Sequence, residues 1–166
     1  MVTLRPATAD DAGAIAQIWS DGWRDGHLGH VPDDLVALRT RESFDPRAAA
    51  RVADTVVADL DGEIAGFVMV VDDEVEQVYV AATHRGTGLA AILLTEAERL
   101  VAANGHDQAW LAVAPGNARA RRFYERSGWT DEGRFDYPAS VERGTLAVPC
   151  HRYVKPVTQA PTQAPT

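Results

Sequence analysis

VYVAATHRGTGLAAILL, residues 78–94, is the stretch whose reading decides the fold of this chain. A β-rich triplet, Val78-Tyr79-Val80, runs into a short polar loop, and a helix-periodic apolar run begins directly after Gly88. Arg85, Gly86 and Gly88 lie in that loop. Glycines let successive backbone N–H groups turn toward one point, and a helix N-terminus adds a field that favours an anion. Arg85 adds a charged donor. The pattern predicts a cradle for a phosphate or pyrophosphate. The alternative, a plain strand-to-helix turn, needs one glycine and not two.

Outward from the loop, the order of elements follows from periodicity and turn chemistry. Upstream, residues 55–60 (TVVADL) and 63–73 (EIAGFVMVVDD) are β-rich runs joined by Asp61-Gly62, and Asp72-Asp73 turns the chain into EVEQVYV, residues 74–80. Residues 55–80 therefore read as an antiparallel meander. Before it, Val2 to Arg5 is a short strand ended by Pro6, and Thr8 caps a helix with Ile15, Ile18 and Trp19 on one face. Residues 21–34 (DGWRDGHLGHVPDD) read as a glycine-broken helix end and a loop. Short helices are expected from Pro32 toward Thr40 and from Asp45-Pro46 toward Val52. Downstream come a helix from Gly88 to Asn104, a strand from Gln108 to Val113, and a helix from Asn117 to Ser127 stopped by Gly128. Strands over Trp129–Phe135 and Thr145–Val154 complete the fold. The domain is expected over residues 1–154, and residues 155–166, with TQAP twice, as a disordered tail outside it.

Composition sets the outer bounds. The 166 residues, 46% hydrophobic and 24% charged, make one domain with enough apolar material for a core without disulfides or metal. Sixteen basic against 24 acidic residues give a net charge of -8, which argues against a nucleic-acid partner. Cys150 stands alone and cannot form an intrachain bridge. The N-terminal stretch MVTLRPATADDA carries no apolar leader, and the longest uncharged apolar run, Ile64 to Val71, is strand-sized. The expectation is a soluble, cytoplasmic protein with no membrane partner.

Two kinds of phosphate loop compete for residues 85–91. Gly86-Thr87-Gly88-Leu89-Ala90-Ala91 satisfies the letters G-x-G-x-x-A of a dinucleotide fingerprint, with Asp107 at roughly the expected distance. Its surroundings do not fit. The preceding strand belongs to a meander, five residues separate Val80 from Gly86, and too little chain follows for a second half of such a fold. The other match is Arg85-Gly86-Thr87-Gly88-Leu89-Ala90 to the Q/R-x-x-G-x-G/A motif of the GNAT N-acetyltransferase superfamily. Residues 117–129, NARARRFYERSGW, resemble that family's second signature, N-x-x-A-x-x-F-Y-x-x-x-G-[FW]. The element order is also the family's. The resemblance covers roughly residues 2–154 and implies an α/β (α+β) GNAT fold, a mixed, mostly antiparallel sheet of about seven strands flanked by helices.

The resemblance further implies an acetyl-CoA-dependent transfer to an amine without a covalent enzyme intermediate. Acetyl-CoA would lie along the strand over 74–80, with pantetheine on Val78, Tyr79 and Val80 and the pyrophosphate on Arg85, Gly86, Thr87, Gly88, Leu89 and Ala90. Asn117 would touch the cofactor or simply cap its helix. Tyr124 matches the family's tyrosine that supplies a proton or hydrogen bond to the departing thiolate; the alternative is a core aromatic beside Phe123.

An alkylamine must also lose a proton before it attacks. Simple alternation puts Glu74, Glu76, Val78 and Val80 on one strand face, so two carboxylates are candidates. Glu76, nearer the expected acetyl group, is the first choice for the base and Glu74 the second. Trp23, His27 and His30 are expected to border the acceptor cleft, with Tyr137, in a loop before the last strand, closing its other side. His27 and His30 lack a third ligand at metal spacing, so no metal is expected. A protein lysine or N-terminus as acceptor, or a module that binds acyl-CoA without catalysis, are the rival functions. Dimerisation is common in the family, and no residue here decides it.

Overall fold

Strand β4 (Glu74–Val80) is the axis of the structure, a computed structural model that describes residues 1–141 and 143–158. On one side lie β1 (Val2–Pro6), β2 (Thr55–Leu60) and β3 (Glu63–Val71); on the other lie β5 (Gln108–Val113), β7 (Gly144–Pro156) and β6 (Thr130–Val141). They form one seven-stranded sheet in the order β1-β2-β3-β4-β5-β7-β6. Every neighbouring pair is antiparallel except β4 and β5. The expected mixed, mostly antiparallel sheet flanked by helices is therefore observed.

Side-chain alternation along the strands builds two cores, one on each face. Val57, Phe67 and Met69 pack with Ile15, Ile18, Trp19 and Trp23 of α1 (Ala12–His27), Leu35 of α2 (Asp33–Leu38) and Phe44 of α3 (Phe44–Ala50). Their neighbours Ala58, Val68 and Val70 point the other way, onto Leu89, Leu93, Leu94, Ala97 and Val101 of α4 (Leu89–Ala103). Phe123 and Tyr124 of α5 (Ala118–Arg126) pack against this second core. Thr8 and Asp11 form a capping box before α1, and Arg5 of β1 reaches Asp11 at 2.8 Å, which ties the edge strand to the first helix. No helix among the described residues is long and apolar enough to cross a membrane.

Three features depart from the expected elements, each for a physical reason. Helix α1 does not break at Gly22 but runs on to His27. Gly22 and Gly26 are four apart and give the helix a smooth strip: a Cβ at Gly22 would stand 2.2 Å from the Tyr79 ring, and one at Gly26 2.9 Å from Asn117 Nδ2. Close approach, not chain breaking, explains both glycines. Strand β6 continues past Phe135 to Val141, so Tyr137 belongs to a strand and not to a loop. Pro138 is tolerated there because β6 is the last strand of the sheet, where a missing N–H breaks no ladder. Finally, β7 runs to Pro156, and Val157 is buried, its N–H donating to Asp107 O at 2.9 Å. The packed chain thus passes the expected boundary at residue 154, while residues 159–166 of the expected tail lie outside the described residues.

Gly66 tests how tightly the central strands and α4 are packed. A Cβ there would lie 2.7 Å from the Tyr79 carbonyl oxygen and 2.8 Å from Leu93 Cδ1. Gly66→Ala is expected to destabilise the fold by about 1–3 kcal/mol, a fall in Tm of roughly 3–10 °C by thermal unfolding.

Candidate active site

The parallel strands β4 and β5 share a single residue pair, Glu74 with Trp110, supported by Trp110 N–H donating to Asp73 O at 3.0 Å. Beyond it they part. On the other side of β4, Ala81 N–H donates to Ala65 O at 2.8 Å, so by alternation the peptide groups of Tyr79 face β3 and those of Val78 and Val80 face the split. A cleft of about 880 Å³ fills the opening, lined by both strands and by residues of α1, α3, α4 and α5.

At one end of the cleft is the glycine loop. Gly86 and Gly88 have φ of 78° and 82°, a conformation that favours glycine, and a Cβ on either would meet only open space. Gly88 is the N-cap of α4 and no side chain caps it. No described carbonyl or side chain accepts from the N–H groups of Gly86 to Ala91, which leaves a row of free donors at a helix start. Gly86, Gly88, Leu89 and Ala90 line the cleft with Arg85, whose Nη2 donates to Asp25 at 2.6 Å. Thr87 does not line it; its hydroxyl turns back to His84 O at 2.6 Å and pins the loop.

Helix α5 supplies Asn117 and Tyr124 to the cleft wall. Asn117 Oδ1 caps its own helix, accepting from Ala120 N–H at 3.2 Å. Tyr124 is pushed up to about 12 by burial, so it holds its proton. The helix is fixed by Arg121, which reaches Tyr153 Oη at 3.1 Å, Pro115 O at 3.0 Å and Asp131 at 3.3 Å. Nothing in the signature of residues 117–129 announces this anchor, because its side-chain partners come from β6 and β7.

The acidic end corrects the simple alternation. Met69 pairs with Gln77 and Val70 with Val75, so Glu76 is an extra residue, a bulge in β4. Val75, Val78 and Val80 all pack toward the α4 core, whereas Tyr79 packs toward α1. Glu74 and Glu76 therefore lie on the face opposite Val78 and Val80: Glu74 bonds Tyr137 and Glu76 bonds Arg51, both on the α1 side.

The two carboxylates are not equivalent. Arg51 grips Glu76 through Nη1 and Nη2 at 3.2 and 2.5 Å and also touches Asp54 at 3.2 Å. Glu74 has no such counter-ion. Burial, with repulsion from Glu76 and Asp73, raises it to about 7, and the Tyr137 hydroxyl, which donates to Oε2 at 2.6 Å, opposes that rise.

Around this end, Trp23, His27 and Tyr137 line the cleft, and His30 does not; its ring packs against Gly116. Trp23 is 5% exposed and stacks on His27 with centroids 4.7 Å apart. His27 Nδ1–H donates to Trp23 O at 2.8 Å, and burial lowers its pKa to about 4, so the imidazole is neutral. Cys150 also lines the cleft, its thiol pushed up to about 11 by burial. Among the described residues no three His, Cys, Asp or Glu side chains converge as a metal site. Three cleft residues that sequence reasoning missed are Arg39, Arg47 and Arg51. They come from the α2–α3 segment, where arginine spacing carries no pattern.

Comparison with known proteins agrees with this arrangement. Residues 14–129 match the Acetyltransferase (GNAT) family. Uncharacterized N-acetyltransferases of Mycobacterium tuberculosis and Mycobacterium bovis are 34% identical over 114 residues, which is 64% of this chain and 70% of theirs. Among solved structures, the GCN5-related N-acetyltransferase of Rhodopseudomonas palustris superposes with TM-score 0.71 at 20% identity, covering 93% of this chain and 95% of that one. The PaiA N-acetyltransferase of Thermoplasma acidophilum, solved with coenzyme A, gives 0.68 at 16% identity over 94% and 99%. YncA of Salmonella typhimurium, solved with its cofactor acetyl-CoA, gives 0.68 at 20% identity over 99% of both chains.

The raised pKa of Glu74 has a consequence for stability. Between about 4.5 and 7 the unfolded chain has already lost a proton that the folded chain keeps, so this group makes stability fall as pH rises through that window. Glu74→Gln removes the penalty. The Tm of the variant relative to wild type is expected to be higher at pH 8 than at pH 5, by about 3 °C or more. An equal difference at both pH values would mean that Glu74 titrates as an ordinary carboxylate.

Proposed function

We propose, for a chain that belongs to the acetyltransferase (GNAT) family, that it moves the acetyl group of acetyl-CoA directly onto a primary amine of a small-molecule acceptor, with both substrates in the cleft together. One observation carries this reading: a single cleft joins a row of free backbone donors to an ionisable carboxylate by way of an open strand edge. A module that only binds acyl-CoA has no need of a carboxylate held at its midpoint near neutrality.

The residues fit the donor. The free N–H groups of residues 86–90 and the guanidinium of Arg85 suit a pyrophosphate, and the room over Gly86 and Gly88 leaves space for it. Val78 and Val80 offer peptide groups at the spacing of a missing strand, which suits the amides of a pantetheine arm. Acetyl-CoA, when bound, supplies an acetyl thioester open to attack by nitrogen.

Glu74 takes the proton of the attacking amine; both oxygens of Glu76 are occupied by Arg51. This reading puts Glu74 before Glu76, the reverse of the first expectation for the base, because Glu76 at the bulge is held by Arg51. The Val78 N–H can donate to the carbonyl oxygen as charge builds there. As the C–N bond forms and the C–S bond breaks, Tyr124 donates a hydrogen bond to the leaving sulfur. With its pKa about 12 it does not hand over its proton to a thiolate of about 8.5.

Thermal unfolding with acetyl-CoA and, separately, NADPH tests the donor. Saturation at about 100 times Kd adds roughly 2.7 kcal/mol, a rise in Tm of about 5–10 °C with acetyl-CoA and none with NADPH. A shift with NADPH alone overturns the reading. Thiol release over a panel of primary amines tests the chemistry. For an accepted amine, kcat is expected to fall below a pH of about 7, and Glu74→Gln to remove that limb and lower kcat by about 10²–10⁴-fold. Tyr137→Phe removes a bond that holds the Glu74 pKa down, so the limb should move to higher pH. Tyr124→Phe should lower kcat about tenfold or more with little change in the KM for acetyl-CoA. A pH profile unchanged in Glu74→Gln would exclude it as the base.

A further inference from the structure

Four buried side-chain nitrogens have no hydrogen-bond partner among the described residues, and three of them, Trp19 Nε1, Arg39 Nε and Arg47 Nη1, belong to residues that line the cleft on its α1 face. All three are donors. Buried donors are almost always satisfied in folded proteins, so three unpartnered donors in one place leave this wall of the cleft rich in donors and short of acceptors. The aromatic floor beneath them is rigid: the Arg47 guanidinium lies 4.4 Å from the Trp19 ring centroid and 5.1 Å from that of Phe44.

Charge points the same way. Arg51 has Glu76 and Asp54, and Glu74 has the Tyr137 hydroxyl. Arg39 is 6% exposed and gives Nη2 to the Ser140 carbonyl, a neutral partner, at 2.5 Å. Arg47 makes no hydrogen bond and no ion pair with any described residue. Burial and the neighbouring Arg39 lower it to about 10, so it is still a cation at neutral pH. Glu76, committed to Arg51, supports that charge only from a distance, so among the described residues Arg47 is a largely desolvated cation with no acidic group in contact, an unfavourable arrangement that an anion from outside would relieve.

The donor's phosphates are not that anion. Their cradle is at the start of α4, on the opposite face of the sheet, whereas Arg47 stacks in the α1–α3 core. The remaining molecule in the cleft is the amine acceptor. We propose that this acceptor carries a carboxylate beside its amine, an amino acid or similar aminocarboxylate, and that Arg47 receives that carboxylate with Arg39 and Trp19 behind it. The planar fork of a guanidinium matches a carboxylate through two parallel bonds, and although Arg47 Nη1 is itself covered by protein, the Arg47 side chain lines the cleft and its one charge matches one negative charge. The inference rests on the acetyltransferase reading of the cleft, since it is the acceptor that must supply the anion. It also assigns Arg47 as a specificity-determining residue, with Glu74 left to serve the amine.

The test uses the full chain with CoA present, so that binding is measured without turnover. Probes are the twenty standard amino acids, each compared with its own carboxamide by isothermal titration. At least one acid is expected to bind tenfold or more tightly than its amide. Arg47→Met should bring that ratio to within about threefold, and Arg47→Lys, which keeps the charge but not the fork, should give an intermediate value. Arg47→Met should also melt at the same temperature as the wild type or higher without ligand, because it removes an uncompensated charge. An arginine with a purely structural role would lower Tm instead and leave the ratio unmoved.

The proposal is overturned if no acid binds, if acids and amides bind alike in the wild type, or if Arg47→Met keeps the preference. Thiol release with acetyl-CoA separates the two claims. Acids that bind selectively but release no thiol would leave this inference standing and remove acetyl transfer. Amides acetylated as well as their acids would do the reverse.

Discussion

Parallel strands that share one residue pair and then diverge leave backbone donors and acceptors without a ladder, and a folded protein does not ordinarily tolerate that inside its sheet. Here β4 and β5 part directly after Glu74 and Trp110. The bulge at Glu76 contributes, since an extra residue bends a strand and increases its twist. The far side of the gap is spanned by α1 and the loop after it, where Gly26 approaches Asn117 and His30 packs on Gly116. The opening is thus spanned by close contacts, and a Cβ at either glycine would force Asn117 or His30 to shift. Its free peptide groups at Val78 and Val80 are satisfied only by water or by an extended ligand with amides of its own.

The same bulge sets the face of the acidic residues. Without it, Glu74 and Glu76 would share a strand face with Val78 and Val80. With it, both lie on the α1 side, where Glu76 meets Arg51 and Glu74 sits at the narrow end of the cleft under Tyr137. Two carboxylates two residues apart thus have different partners, an arginine for one and a tyrosine hydroxyl for the other. Arg51 matters to Glu74 as well, because it weakens the repulsion that would raise Glu74 still further.

Much of the fold could be read from the chain because its signals are local. The Asp61-Gly62 turn, the meander, the glycine loop and the limits of β5 depend on residues close in sequence, and each lies where periodicity and turn chemistry put it. The misreadings share one cause, a partner far along the chain. Gly22 and Gly26 look like breakers until Tyr79 and Asn117 are seen against them. Pro138 looks like a loop residue until β6 is known to be the sheet edge. The bulge at Glu76 depends on how β3 pairs, and Arg39, Arg47 and Arg51 gain meaning only when β4, β6 and α1 surround them. Motifs located the donor end of the cleft; the acceptor end had no motif to give.

That asymmetry has a structural basis. The cradle at α4 belongs to the core on one face of the sheet, and the arginines, tryptophans and Glu74 belong to the other. The split between β4 and β5 is where the two faces meet. On the proposed function, a donor held by the cradle and the open strand edge would enter from one side and an acceptor on the arginine side from the other, and the two would meet at the gap. Such an approach suits attack of nitrogen on a thioester without an enzyme-bound acyl group, and the one thiol in the cleft, Cys150, is pushed up to about 11 and stays protonated. Three unfavourable features, the unladdered strand edge, a carboxyl at about 7 and a guanidinium with no acidic contact among the described residues, border this gap. The two apolar cores on either side carry their cost, and on the proposed function each such group is a place that a substrate would complete.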